Sequence, residues 1–349
     1  MKEETSVGSP LIKKGRVFFI AEAGVNHNGT LSRAIKLVDV AARAGADAVK
    51  FQTFQTELLA SQGARKAEYQ AKNTGRRGNQ RDMLRKLELS ERTHCEIIKR
   101  CRQRGILFLS TPFDCFSVDL LERLKVTAYK ISSGDLTNFP FLKYVAKKRK
   151  PIILSTGMAT LEEVQKAVQT LRRSGNKKLV LLHCVSAYPA DPADMNLRAM
   201  DTLRRVFGVP VGLSDHTPGG MTAVAATALG ADVIEKHFTL KRTLVGPDHS
   251  FSLTPAQLQK TIRDVRLTEA AMGDGVKHPV FAERPIASVS RKSIFSACLL
   301  KKGDRLTMSS VAILRPGTGL PPTALRSLLG RKARRSIGVG RMLKREMFQ

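Results

Sequence analysis

"DVIEKHFT", residues 232–239, is built like a buried strand with an acid, a base and an imidazole at its centre. Val233, Ile234 and Phe238 suit a sheet interior, whereas Glu235, Lys236 and His237 are each costly to bury without a partner. The stretch decides the fold because it is the last of a series. Seven short apolar runs precede it: VFFIAEAG (17–24), DAVKFQT (47–53), ILFLSTP (106–112), AYKISSGD (128–135), PIILSTG (151–157), LVLLHCVS (179–186) and VPVGLSD (209–215). Longer amphipathic stretches separate them, among them LSRAIKLVDVAARAG (31–45) and TLEEVQKAVQTLRRSG (160–175), where Thr160 and Glu163 have capping-box spacing. Eight strand–helix units in about 250 residues predict an α/β fold of the (β/α)8 TIM-barrel type. The competing doubly wound sheet lacks a GxGxxG after its first strand.

Two of the units end alike. ARAGADAVK (42–50) and TALGADVIEK (227–236) both place Gly-Ala-Asp at the helix-to-strand turn, a hint of internal repetition with glycine as a left-handed cap. The segment from about 58 to 92 is too long for a simple connection, and reads as a functional loop over the barrel mouth or as a flexible excursion. The expected organisation is a flexible polar arm over 1–16, a catalytic barrel over 17–273, a linker over 274–285 and a small, mostly β domain over 286–349.

The formal net charge of +29 allows attraction to nucleic acid or acidic ligands. The basic residues are spread along the chain, however, without aromatic-rich basic stretches, so a solvated basic surface is expected and nucleic acid is not. Nothing approaches the ~18 uninterrupted apolar residues of a membrane span, and the N-terminus lacks the apolar core of a signal peptide. Five scattered cysteines without a CxxC pair predict a reduced, cytoplasmic protein without a zinc ribbon.

Barrel chemistry gathers at the C-terminal ends of strands. Those ends carry Glu22, followed by Asn26, His27 and Asn28; Lys50 and Gln52; Ser110 and Thr111; Lys130, Ser132, Ser133 and Asp135; Ser155 and Thr156; His183, Ser186 and Tyr188; Ser214, Asp215 and His216. Lys50 and Lys130, with Thr111, Ser133, Ser155 and Ser214, would make a cationic, hydroxyl-lined pocket suited to phosphate and carboxylate. The alternative is an interior salt bridge, such as Lys50 with Glu22. His216 and His237 end adjacent strands, about 4.8 Å apart, so their imidazoles could share one divalent ion. Glu235 projects from the same strand face as His237 and could ligate directly or through water. Two satisfied core histidines fit the same spacing equally well. His27, His183 and His249 are weaker candidates, His94 and His278 read as surface residues, and Lys236 points away from the lumen.

These residues also carry a resemblance. IAEAGVNHNG, AVKFQTF, STPFD, YKISSGD, ILSTGMAT, LHCVSAYP, VGLSDHT, IEKHFT, GPDHSFSL and RPGTGL occur in order from about residue 17 to the C-terminus. Together they resemble the sialic acid (N-acetylneuraminate) synthase family, which includes legionaminic and pseudaminic acid synthases. The resemblance implies a TIM barrel followed by a small antifreeze-like (SAF) domain, in a domain-swapped homodimer. It implies condensation of phosphoenolpyruvate with an N-acetylmannosamine-type sugar aldehyde and water, releasing phosphate by C–O cleavage with manganese or magnesium. Carried over by position, His216 and His237 would be the metal ligands with Glu235 beside them. Lys50, Thr111, Lys130, Ser133, Ser155 and Ser214 would bind phosphoenolpyruvate. Gln52, Asn73, Phe113, Tyr188, Asp248 and Asp135 would face the sugar, and Arg315 would reach into the partner's site and contact the sugar's acetamido group. Glu22 and Asp135 are the candidate acid–bases. Asp135 stands where members making sialic acid often have Glu, and Ser186 where some have Asn. Diacetamido-trideoxyhexoses therefore stay open beside N-acetylmannosamine.

Three rivals are expected to be separable: a Schiff-base aldolase using Lys50 or Lys130, a barrel synthase acting on arabinose 5-phosphate, and a non-catalytic carbohydrate- or nucleic-acid-binding barrel.

Overall fold

The computed structural model describes residues 11–13, 15–75 and 77–349. The polar arm expected over 1–16 lies mostly outside these residues. Each of the eight apolar runs contains one strand: β1 (Phe18–Gly24), β2 (Ala48–Thr53), β3 (Leu107–Pro112), β4 (Tyr129–Ile131), β5 (Ile152–Ser155), β6 (Leu179–Cys184), β7 (Val211–Asp215) and β8 (Val233–His237). They form one sheet in the order β3-β2-β1-β8-β7-β6-β5-β4, with parallel pairing throughout. β1 pairs with β8, which bends the sheet round on itself, and β3 and β4 at the ends of the order lie against each other. The TIM barrel is therefore nearly closed.

The helices between strands are α1 (Leu31–Ala44), α2 (Thr56–Leu59), α3 (Glu68–Thr74), α4 (Gln80–Arg85), α5 (Glu91–Arg104), α6 (Cys115–Arg123), α7 (Phe139–Ala146), α8 (Leu161–Arg173), α9 (Ala199–Phe207), α10 (Met221–Ala228) and, after β8, α11 (Pro255–Met272). Thr160 and Glu163 form the expected capping box on α8. The two Gly-Ala-Asp turns do the same work twice. Gly45 and Gly230 have φ of 86° and 79°, conformations that L side chains resist. The following aspartates each cap a neighbouring strand: Asp47 Oδ2 accepts from Phe19 N–H at 2.8 Å, and Asp232 Oδ2 accepts from Val211 N–H at 2.9 Å.

Side-chain alternation divides the barrel into layers. The floor of the lumen is apolar: Ile20, Ala48, Leu109, Ala128, Ile153 and Val233 form one buried cluster. Two residues further along each strand, on the same side, stand Glu22, Lys50, Thr111, Lys130, Ser155 and Glu235. β7 supplies Gly212 below Ser214, because a Cβ there would come 2.0 Å from the Val233 carbonyl oxygen. The outward-facing residues, such as Phe19, Val49 and Ile234, pack against the helices in the larger core.

Charge is distributed by the same topology. Arg43, Arg102, Arg104, Arg123, Arg172, Arg173, Arg204 and Arg205 occupy last turns of α1, α5, α6, α8 and α9. Those ends share the face opposite the strand C-termini, where cations offset the negative end of each helix dipole. Part of the +29 charge, dispersed in sequence, is thus gathered on one side.

One expectation is corrected. His94 is not a surface residue but is fully buried; one ring nitrogen lies 2.8 Å from Thr53 Oγ1 and Nδ1 lies 2.9 Å from Ser90 O. It sits on the inner face of α5, whose buried positions also include Ile97, Ile98 and Cys101, and the two hydrogen bonds offset its desolvation. His278 is exposed, as expected.

The chain divides into two compact units, the barrel ending at Gly273 and a second of Asp274–Gln349. The second unit opens with α12 (Glu283–Ser290), which begins inside the stretch expected to be a linker. Its β9 (Ser293–Ser296) pairs antiparallel with β10 (Val311–Leu314). Isolated bridges such as Leu300–Ile337 and Ala333–Phe348 extend this small β structure around Ile294, Leu306, Leu328 and Leu343. Among the described residues no helix is long and apolar enough to cross a membrane.

Candidate active site

A cavity of about 870 Å³ opens at the C-terminal ends of the barrel strands. Its deepest polar layer is a chain of alternating charges. Lys50 Nζ lies 2.9 Å from Glu22 Oε2 and 3.7 Å from Glu235 Oε1, and Lys130 Nζ lies 3.2 Å from the same Glu235 oxygen. Lys50 also donates to Thr111 Oγ1 at 2.9 Å, and Ser214 Oγ donates to Glu235 Oε1 at 3.3 Å. The interior salt bridge weighed from sequence is therefore present, and so is the lysine–hydroxyl pocket. Ser155 Oγ and Glu235 Oε2 are buried without a hydrogen-bond partner in the protein.

The electrostatics split the two carboxylates. Burial pushes the Glu22 carboxyl up to about 7; Lys50 opposes this and Glu235 adds to it. Burial acts on Glu235 too, but Lys130 and Lys50 outweigh it and hold that carboxyl below its usual range. Lys50, desolvated yet flanked by Glu22 and Glu235, is held above the ordinary lysine value, while burial pulls Lys130 down. One acid stays ionised and the other is poised to exchange a proton near neutrality.

One layer above stand the two imidazoles, ring centroids 5.4 Å apart. His216 Nδ1 donates to the Val185 carbonyl at 2.8 Å, so in the neutral ring it is Nε2 that carries the lone pair; burial lowers the pKa of this imidazole, but Cys184 and the Val185 carbonyl outweigh it and hold it above its ordinary value. His237 has a buried Nδ1 with no hydrogen-bond partner, 3.8 Å from Asp248 Oδ2. Burial lowers the His237 pKa well below its ordinary value and raises Asp248 to about 6. The Tyr188 ring lies 4.3 Å from that of His216. Among the described residues no group of three or more His, Cys, Asp or Glu side chains is arranged to hold a metal. The histidines are two donors, not a complete cage.

Of the residues singled out from sequence, Glu22, Lys50, Gln52, Thr111, Phe113, Lys130, Ser133, Ser155, Tyr188, Ser214, His216, Glu235, His237 and Asp248 all line this cavity. Asn73 and Asp135 do not. Asn73 Nδ2 donates to Pro247 O at 2.7 Å and Ser250 Oγ at 2.9 Å, tying α3 to the 246–253 segment. Asp135 sits in the turn after β4 and accepts from Asn138 Nδ2 at 3.2 Å. Arg315 is exposed at the end of β10 in the second unit. The weaker histidines are structural. His27 Nδ1 accepts from Gly29 N–H, His183 bonds Met195 O, and His249 bonds Thr239 and Asn28.

Sequence reading missed part of the wall. Glu68, Tyr69, Gln70 and Lys72 of α3 and Leu84 of α4 line the cavity, so the long segment does form part of the mouth. Tyr69 stacks on Tyr188 with centroids 4.9 Å apart. α3 is too short to show a helical period, and the available signal was a tyrosine in a polar stretch of a chain with only four.

An apolar floor, a layer of paired lysines and carboxylates and two imidazoles above it define a TIM-barrel enzyme with a charged, ligand-sized lumen. Residues 37–277 match the NeuB family and residues 291–349 the SAF domain. The chain belongs to the NeuB family of nonulosonic (sialic-type) acid synthases. N,N'-diacetyllegionaminic acid synthase of Legionella pneumophila is 44% identical over 330 residues, 93% of each chain. The enzyme of the same name from Campylobacter jejuni is 45% identical over 320 residues, 91% of this chain and 96% of that one. The crystal structure of an N-acetylneuraminic acid synthetase from Leptospira borgpetersenii superposes with a TM-score of 0.69 at 33% identity, covering 79% of this chain and 92% of that one.

Proposed function

We propose that this chain condenses phosphoenolpyruvate with the open-chain aldehyde of an acetamido sugar and with water, releasing inorganic phosphate. The observation that carries the reading is the pairing of both lumen lysines with buried carboxylates directly below two imidazoles. A dianionic substrate entering this layer would replace the carboxylates as partners of Lys50 and Lys130. Thr111, Ser133, Ser155 and Ser214 would donate to its phosphate and carboxylate oxygens. The 44% and 45% identities to two diacetyllegionaminic acid synthases support a diacetamido-trideoxyhexose over N-acetylmannosamine. Leu59, Leu84, Phe113 and Met158 in the cavity wall suit a deoxygenated carbon.

His216 and His237 would hold a divalent cation, manganese or magnesium. Nε2 of the neutral His216 ring and the unpartnered nitrogen of His237 fit such an ion, with Glu235 behind them. When bound, it supplies Lewis acidity toward the aldehyde carbonyl.

The chain's own groups do the rest. Lys50 and Lys130 hold the phosphate and carboxylate while the C2=C3 electron pair forms a bond from C3 to the aldehyde carbon. C2 becomes cationic and water adds there, passing a proton to Glu22, whose pKa of about 7 suits the transfer. The tetrahedral centre then breaks its C2–O bond to phosphate, which leaves with the electron pair, while the C2 hydroxyl releases its proton and closes to the keto C2=O. Of the water's two protons, one ends on the new hydroxyl at the former aldehyde carbon and the other on phosphate or solvent, so one water is consumed overall. Asp135, off the cavity, leaves this role to Glu22.

The family resemblance extends the reading to a domain-swapped homodimer that offers Arg315 to the partner's sugar. It also extends to a cytoplasmic setting, which the five free cysteines support. The deciding experiment is phosphate release over a panel of amino sugars, with and without EDTA and with Mn²⁺ or Mg²⁺ restored. Turnover is expected with an acetamido aldehyde sugar, to be lost with EDTA. Absence of phosphate release from every sugar would overturn the reading.

A further inference from the structure

Lys236 and Asp215 form a buried ion pair that the reaction above does not use. Alternation turns both away from the lumen, one position before each imidazole: Asp215 precedes His216 and Lys236 precedes His237. The two are direct cross-strand neighbours in the β7–β8 register. Lys236 Nζ lies 2.7 Å from Asp215 Oδ2, with side-chain exposures of 2% and 0%. The same ammonium donates to Thr217 O at 2.6 Å, and so bridges across residue 216. Asp215 Oδ1 accepts from Thr217 N–H and Thr217 Oγ1, both at 2.8 Å, and Oδ2 accepts from Thr222 Oγ1 at 2.6 Å. His216 is therefore bracketed on both sides by groups bonded to one another. Its own carbonyl accepts from Ala190 N–H at 3.0 Å.

A buried ion pair is a poor way to gain stability, since a well-packed apolar pair often does as well or better. What this pair does that an apolar one cannot is fix a geometry: it ties the ends of β7 and β8 at the register that sets the imidazole separation. We propose that Asp215 and Lys236 are positioning residues that set the spacing and aim of His216 and His237, and thereby the affinity of this site for a divalent cation. This rests on the reading that the two histidines hold such an ion.

The test is Mn²⁺ binding to the full-length protein without substrates, by titration calorimetry and by the loss of the free-ion EPR signal. Thermal unfolding and phosphoenolpyruvate affinity are measured alongside. Asp215→Asn combined with Lys236→Met removes both charges and keeps an acceptor for the Thr217 N–H. It is expected to leave the fold and phosphoenolpyruvate affinity intact while weakening Mn²⁺ about 10- to 100-fold, the range for groups that orient metal ligands. Mn²⁺ affinity within twofold of wild type, with binding lost in His237→Ala, overturns the proposal and leaves the metal reading standing. Wild-type affinity in His237→Ala removes the metal reading, and the proposal with it. Should the double variant not fold, Thr222→Val removes one hydrogen bond to Asp215 and is expected to weaken Mn²⁺ about fivefold. No change there overturns the proposal equally.

Discussion

Glu22 and Lys50 are cross-strand neighbours whose side chains meet at 2.9 Å in the barrel lumen, 1% and 3% exposed. Both line the cavity, and Lys50 also reaches Thr111 Oγ1 at 2.9 Å. Glu235 Oε1 lies 3.7 Å from the same lysine, so Lys50 stands between two carboxyl groups.

Glu22→Gln is expected to lower kcat/KM about 100- to 10,000-fold, the range for a lost acid–base group. Wild-type activity should rise with pH through a midpoint near 7, and that limb should vanish in the variant. Stability carries the same signature. The folded-state pKa is raised from 4.5 to about 7, so the contribution of the neutral carboxyl is complete below about pH 4.5 and gone above about pH 7. Melting temperatures of the ligand-free protein across that window should decline less in Glu22→Gln. An unchanged slope would show that Glu22 titrates normally.

Lys130→Met removes the nearer cation from Glu235 and should raise the phosphoenolpyruvate KM about 10- to 150-fold, as for one lost charge-assisted hydrogen bond. It should also destabilise the fold by about 3 kcal/mol, because a buried carboxylate loses the nearer of its two cations. Adding Glu235→Gln should restore the melting temperature without restoring KM. If KM recovered as well, Lys130 would act through Glu235 alone.

His237→Ala is expected to abolish metal-dependent turnover while circular dichroism shows an intact fold. The ring faces the cavity and its Nδ1 bonds to nothing in the protein. Full activity of this variant under rigorous chelation would reject the metal role.

Tyr69→Ala should raise KM for the sugar about 2- to 10-fold, the worth of one aromatic pair, and leave KM for phosphoenolpyruvate unchanged. Tyr69→Phe should behave as wild type, since the stacking on Tyr188 needs only the ring. Equal effects on both substrates would mean that α3 acts by closing the mouth as a whole.

Much of the barrel was legible in sequence because its determinants are local. A strand covered on both faces must be apolar, a helix between strands must be amphipathic, and eight such repeats close only as a barrel. The lumen was legible for a related reason. Glu22, Lys50, Lys130 and Glu235 interrupt runs that should be apolar, and the two-residue strand period assigns them to one face.

Tertiary structure decided which of these groups are partners. Lys236 and His237 are adjacent in sequence yet serve opposite sides of one strand, the first closing an ion pair with Asp215 and the second facing the cavity. His94 lies on a helix that carries many charges, and only its packing against Thr53 and Phe108 made it core. Asp135 and Asn73 carry suitable chemistry but are turned to other bonds, while Tyr69 comes into the wall from a segment with no readable period. A side chain's type and its strand face follow from its neighbours along the chain. Its partner, and so its pKa and role, follows from which distant strand arrives at hydrogen-bonding distance, and that depends on register around the whole closed sheet.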